Sequence, residues 1–170
     1  MKGKRFKEQI LQPSASRLEP CAVIVRAMTG ADLAAVHAIE SENPSPWSGG
    51  QLASELEQES GWQFVAEADS GLVCGFVCGR SCAGESELLK IAVARECRRQ
   101  GIAIQLVAHT LRYLAEQGTE RCFLELRAGN LPALALYEQL GFRRVGLRKN
   151  YYASPPEDAI LMEKLVLVGA

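Results

Sequence analysis

The chain has 170 residues, 48% hydrophobic and 23% charged, with 19 basic and 20 acidic side chains and a formal net charge of -1. That length buries one good core without calling for a second domain, and the balanced charge argues against work through non-specific nucleic-acid contact. No apolar run approaches the roughly 18 residues of a membrane span, and the basic start MKGKRFKEQILQPS is followed by no apolar signal core, so a cytoplasmic protein without membrane attachment is expected.

Residues 1–20 mix charge, Ser, Pro13 and Pro20 without a stable period and read as a flexible arm; residues 21–170 read as one domain. AVIVRAM (22–28) has the β-branched content of a first strand. Thr29 or Gly30 opens a short helix with Leu33, Val36 and Ile39 on one stripe; His37 beside it is a packed or surface histidine. NPSPWSGG (43–50) is a loop, and Ser48 is a candidate cap for a helix through Leu52 and Leu56. WQFVAEA (62–68) and LVCGFVCGR (72–80) form a hairpin around Asp69–Gly71, with Cys74 and Cys78 on one face by strand parity. SELLKIAV (86–93) is the next strand, and Ile102, Leu106, Val107, Leu111 and Leu114 mark a long amphipathic helix stopped at Gly118. RCFLELRA (121–128) returns as a strand. Asn130 caps a helix that tolerates Pro132 in its first turn and ends at Leu140–Gly141. FRRVGLR (142–148) and AILMEKLVL (159–167) are the last strands, separated by an irregular NYYASPPED.

The order is strand, two helices, three strands, helix, strand, helix, two strands. It specifies a mixed α/β fold around a mostly antiparallel sheet, since a doubly wound fold would alternate strand and helix throughout. The six cysteines include no CxxC pair and the histidines lie far from them, so reduced thiols and no metal site are expected.

The sharpest local signal is Arg98-Arg99-Gln100-Gly101-Ile102-Ala103 between a strand and a long helix. A helix start carries backbone N–H groups without acceptors and a dipole that favours anions. Gly101 and the small Ala103 let a diphosphate approach the main chain. Arg95, Arg98 and Arg99 add positive charge, although each is equally readable as a solvent-facing arginine. Neither GxxxxGK[ST] nor GxGxxG is present.

ELLKIAV, RRQGIA, LELRAGN, ALYEQLGF and KNYY with EDAILM, in that order, resemble the GNAT family of N-acetyltransferases across about residues 23–165. Within it they are similar to the RimI-type branch, which acetylates the N-terminal alanine of a ribosomal protein. The resemblance implies a GNAT fold, with a splayed parallel strand pair in a sheet flanked by helices. It implies acetyl-CoA as cosubstrate and no metal. Main-chain groups at Ile91, Ala92 and Val93 would meet the pantetheine arm, and Arg98, Arg99, Gln100, Gly101, Ile102, Ala103 and Ile104 the pyrophosphate. Asn130 matches a cofactor-binding asparagine, though capping explains it equally well. Gly129 stands where the branch has Ser, which would loosen that loop, Ala103 replaces a commoner glycine, and Lys90 replaces an Asn at the acceptor pocket.

Acetyl transfer to an amine needs a neutral nucleophile, a stabilised oxyanion and a proton for the thiolate. An α-amine titrates near about 7.7–8, against about 10.4 for lysine, so a modest base suffices for an N terminus. Glu125 lies in a largely apolar strand, where burial would strengthen it as a base; the resemblance makes it the general base, and the plain alternative is a salt-bridged surface Glu. Tyr137 is similar to the tyrosine that protonates the thiolate, or is a core anchor. A backbone N–H near Ile91 would meet the oxyanion of a direct attack in a ternary complex.

Trp47, Tyr151 and Tyr152, read as loop aromatics, correspond to the walls of the branch's peptide channel; Trp47 also reads as a core plug. Glu157 and Asp158 are placed to meet a basic second residue, as in targets beginning Ala-Arg-Tyr. The expected partner is a ribosomal protein or its N-terminal peptide, with no direct nucleic-acid contact, and the chain a monomer or at most a weak dimer. The alternatives are a GNAT enzyme for other N termini, lysines or a small amine, and a coenzyme-A-binding module without turnover.

Overall fold

The computed structural model describes residues 22–166; the arm expected over 1–20, and Cys21, lie outside them. β1 (Val23–Ala27) leads through a short 3-10 turn (Gly30–Asp32) into α1 (Leu33–Glu40), and α2 (Gly49–Leu56) follows. Three strands come next, β2 (Gly61–Ala68), β3 (Val73–Cys82) and β4 (Glu85–Val93). A second 3-10 turn (Arg95–Cys97) precedes α3 (Ile102–Glu116), then β5 (Arg121–Arg127), α4 (Leu131–Gln139), β6 (Arg143–Ala153) and β7 (Pro156–Leu165). The element order matches the expected one.

The strands form one seven-stranded sheet in the order β1-β2-β3-β4-β5-β7-β6. Every neighbouring pair is antiparallel except β4 and β5. Residues 73–79 of β3 are buried without interruption, which requires cover on both faces of the sheet. Helices α3 and α1 supply it. The α3 stripe is realised: Ile102, Leu106, Val107 and Leu114 are 1% exposed or less, each worth about 1.5–3 kcal/mol of burial.

Local chemistry places the helix starts. Ser48 Oγ accepts from the Gln51 amide at 3.2 Å while Gln51 Oε1 accepts from the Ser48 amide at 2.8 Å, a reciprocal cap that satisfies two donors. Asp32 accepts the Thr29 amide at 2.8 Å and takes the forked guanidinium of Arg26 on both oxygens, tying α1 to β1. That pairing holds the Asp32 carboxyl well below the usual carboxylate range, at about 2. Asn130 Oδ1 accepts from the Ala133 amide at 3.3 Å, as the capping reading requires.

One expectation fails at the C-terminal end. The segment NYYASPPED is not an irregular connection: β6 runs on to Ala153 and β7 begins at Pro156, so Tyr151 and Tyr152 are strand residues, not loop residues. Tyr152 pairs with Glu157 and Ala153 with Pro156, past an irregularity between Arg148 and Tyr152. Asn150 sits there at φ 51, its amide held by Asp158 Oδ1 at 2.8 Å. Pairing across the hairpin overrides the polar, proline-rich composition of the segment.

Candidate active site

β4 and β5 are hydrogen-bonded in parallel only from Glu85↔Arg121 to Leu88↔Leu124. Beyond that point β4 stays with β3 as far as Val93, and β5 stays with β7 as far as Arg127. The two strands therefore diverge, and their facing main-chain groups are no longer used by each other. A cavity of about 440 Å³ opens in the gap, bringing Trp47, Ile91, Glu125, Asn130, Tyr137, Tyr151 and Tyr152 around one space. Ala92, Val93, the 98–104 turn and Asp158 do not line that cavity.

Glu125 carries the salt bridge of its plain alternative reading, although it is not a surface residue. Its side chain is 18% exposed and ion-paired, Oε1 lying 3.0 Å from Arg148 Nε. The Tyr151 hydroxyl also hydrogen-bonds to it, which, ahead of the charge itself, raises the tyrosine above its ordinary value. Arg148 in turn lies 5.3 Å from the Tyr151 ring. The carboxylate so held lines the cavity. Arg148 had no signal in the sequence: it reads as one more strand arginine, and only the β5-β7-β6 register brings it to Glu125.

Tyr137 is 3% exposed and still lines the cavity. Its ring packs edge-on against Phe142 at 5.4 Å, so α4 holds it rigidly. Burial, with a smaller effect of Cys122, drives its hydroxyl above the ordinary tyrosine value. Its ring is anchored in the core while the residue still borders the cavity.

The turn after β4 has the geometry of an anion cradle. Gly101 sits at φ 77, in the left-handed region that favours glycine, and a Cβ there would meet nothing within 4 Å. The first bond of α3 runs from the Gln105 amide to Gly101 O at 3.1 Å, leaving the amides of Ile102, Ala103 and Ile104 without intrahelical acceptors. The two arginines differ. Arg98 is committed, its Nε donating to Val93 O at 2.9 Å and its Nη2 lying 2.8 Å from Glu42 Oε2. Arg99, exposed at φ 64, has no ion-pair partner among the described residues.

The Trp47 side of the cavity is held by Glu40 and Asn43, which sequence reasoning passed over. Glu40 is fully buried; its Oε1 pairs with Lys90 Nζ at 2.7 Å and accepts the Trp47 amide at 3.0 Å, and its Oε2 accepts from Asn43 Nδ2 at 2.6 Å. The Lys90 charge is thus already matched, and its ammonium lies 5.4 Å from the Trp47 ring. Trp47 is half-buried against the core and exposed to the cavity at once. The Gly129 loop, expected to be loosened, is tied down: its amide donates to Glu157 Oε1 at 2.5 Å, and Glu157 Oε2 pairs with Arg127 at 3.1 Å. Among the described residues no group of three or more His, Cys, Asp or Glu is placed to hold a metal ion, and no helix is long and apolar enough to cross a membrane.

The chain is similar to known proteins over most of its length. Residues 33–142 match the acetyltransferase (GNAT) family. The chain is 34% identical over 142 residues to the Escherichia coli [ribosomal protein bS18]-alanine N-acetyltransferase, covering 81% of this chain and 94% of that one. It is 36% identical over 114 residues to an N-alpha-acetyltransferase of Saccharolobus solfataricus, covering 59% and 67%. The crystal structure of the Escherichia coli ribosomal-protein-alanine enzyme superposes with a TM-score of 0.81 at 32% identity, over 88% of this chain and 97% of that one. Ard1 from Thermoplasma volcanium superposes at 0.79 with 26% identity, over 86% and 99%. By this family match and these likenesses the chain belongs to the GNAT family of acetyltransferases.

Proposed function

We propose that this chain transfers an acetyl group from acetyl-CoA to the α-amine of a polypeptide, namely the N-terminal alanine of a ribosomal protein, by direct attack in a ternary complex. One observation carries the reading: a carboxylate and a loaded phenol, Glu125 and Tyr137, line a single cavity in the β4–β5 gap, walled by aromatic side chains. The curated relatives named for ribosomal-protein alanine support the choice of acceptor.

The residues present fit the cosubstrate. The unsatisfied amides from Ile102 to Ile104, the left-handed Gly101 and the uncommitted Arg99 suit a diphosphate, with Arg98 and Gln100 at its edge. Ile91, Ala92 and Val93 stand between that turn and the cavity, where β4 main-chain groups can meet an extended arm, and Asn130 borders the cavity from α4. Acetyl-CoA, when bound, supplies the thioester whose carbonyl carbon is attacked and whose sulfur leaves as a thiolate. Glu125 takes the proton that the amine must lose, directly or through a water, and Arg148 and Tyr151 hold the carboxylate for it. A β4 amide near Ile91 donates to the developing oxyanion. Tyr137 gives its proton to the departing sulfur.

Trp47, Tyr151 and Tyr152 wall the peptide. Asp158 uses Oδ1 to hold Asn150 and stands outside the cavity, so any contact it makes with a basic second residue is at the rim. An unchanged KM for an Ala-Arg peptide in Asp158→Lys would remove that contact. The deciding assay is acetyl transfer to a short Ala-Arg-Tyr peptide beside the same peptide with a blocked N terminus and an internal lysine. Turnover confined to the free α-amine is expected; turnover confined to the lysine would overturn the acceptor assignment.

A further inference from the structure

Past Leu88 and Leu124 nothing in the sheet joins β4 to β5, yet one residue outside the sheet touches both. Ser45, in the loop between α1 and α2, offers its carbonyl oxygen to Lys90 Nζ at 3.1 Å and its Oγ to Arg127 Nη2 at 3.2 Å. Lys90 is on β4 and Arg127 on β5, both in the diverged stretches. Ser45 therefore spans the open end of the gap.

Both supports are themselves fixed. Lys90 is paired with buried Glu40, which also holds Asn43 and Trp47 of the same loop. Arg127, 17% exposed, donates to Ser154 O at 3.0 Å, to Pro155 O at 3.1 Å and to Glu157 Oε2 at 3.1 Å, and lies over the Tyr152 ring at 4.2 Å. One guanidinium thus joins the α1–α2 loop, β5 and the tip of the β6–β7 hairpin. Its planar fork can serve these partners together, whereas a lysine ammonium, a compact point donor, cannot. None of these groups reacts with anything, and Arg127 has no other task in the chemistry above.

We infer that Ser45, held by Lys90 on one side and Arg127 on the other, is a crossbar that sets the separation of the two acceptor walls, with Arg127 as its positioning residue. This rests on the acceptor being a peptide that enters between those walls. The crossbar determines how well the peptide main chain is held, and it leaves both the donor turn and the Glu125–Tyr137 chemistry unchanged.

The test compares wild type, Ser45→Ala and Arg127→Lys in two measurements. Hydrogen–deuterium exchange of the acceptor-free protein reads the link alone: faster exchange at the Trp47 amide, which donates to Glu40, is expected in both variants. Steady-state kinetics with the Ala-Arg-Tyr peptide reads its role. KM should rise roughly threefold for Ser45→Ala and roughly tenfold for Arg127→Lys, by the loss of one and of several hydrogen bonds, with kcat within about twofold and acetyl-CoA affinity unchanged. Ser45→Ala keeps every other Arg127 contact, so it serves even if Arg127→Lys folds poorly. Unchanged exchange in Ser45→Ala would overturn the crossbar; faster exchange with unchanged KM would overturn its role in holding the acceptor. If wild type acetylates only the internal lysine, the peptide-terminus assignment falls separately, and the same KM comparison on that lysine peptide decides the crossbar.

Discussion

On the proposed function the cleft has a donor and an acceptor side, and the two are built by different means. The donor turn is one contiguous stretch, 98–104, and its working groups are backbone amides exposed by a left-handed Gly101 at the start of α3. The acceptor wall gathers side chains from the α1–α2 loop, β4, β5 and the β6–β7 hairpin, joined through Glu40, Lys90, Ser45 and Arg127. A backbone site depends on the conformation of a few residues, so one substitution can remove it. A side-chain wall distributes its role over several contacts, so single losses are partial, except where a buried charge is left alone.

Gly101→Glu breaks the donor side most completely. It puts a side chain at φ 77 and a negative charge on an anion cradle. Acetyl-CoA affinity should fall by roughly 10³ in a calorimetric titration while the thermal transition moves little; retained affinity would show that the cofactor binds elsewhere.

On the acceptor side the largest effect belongs to Lys90→Met, which strands the Glu40 carboxylate in the core. A loss of about 3 kcal/mol is expected from urea unfolding. Under 1 kcal/mol would mean that Asn43 and the Trp47 amide satisfy Glu40 by themselves.

Between the two sides, Tyr137→Phe should lower kcat by roughly 10² with acetyl-CoA binding intact. Because burial raises the Tyr137 hydroxyl above its usual value, the donor stays protonated as pH rises. Wild-type kcat should therefore show no loss attributable to it until above about pH 10, and a wild-type rate in the variant would remove the acid role. Glu125→Gln should cost roughly tenfold in kcat near neutral pH, less as pH rises and more of the α-amine is neutral. A defect that is flat with pH would argue for positioning rather than base catalysis.

The smallest effect lies in the buried core. Burial pushes the Cys78 and Cys122 thiols up to about 12. Their neutral forms stabilise the fold fully below the unfolded thiol value of about 8.5, and that contribution is lost as pH rises toward 12. Unfolding free energy should drop by roughly 1 kcal/mol or more between pH 8 and 10, and Cys122→Ala should remove about half of the drop.

Much of this was legible in the linear chain because it depends on neighbours in sequence. Ser48 and Asn130 cap their helices, the α3 stripe is buried, and the 98–103 turn starts a helix, since each rests on contacts within a few residues. The misreading of 150–158 as irregular has the opposite cause. Its strand character comes from pairing between β6 and β7, which a proline-rich local composition conceals.

By itself the sequence determined the element order, the family motifs and the turn that opens α3, because hydrophobic period, capping and backbone conformation are local properties. Only the tertiary structure decided that Glu125 is held by Arg148 and Tyr151, that Glu40 neutralises Lys90, and that Ser45 spans the gap. Those partners stand up to 82 residues apart. They meet because strand register and the divergence of β4 from β5 bring them together, and neither is written in any short stretch of residues.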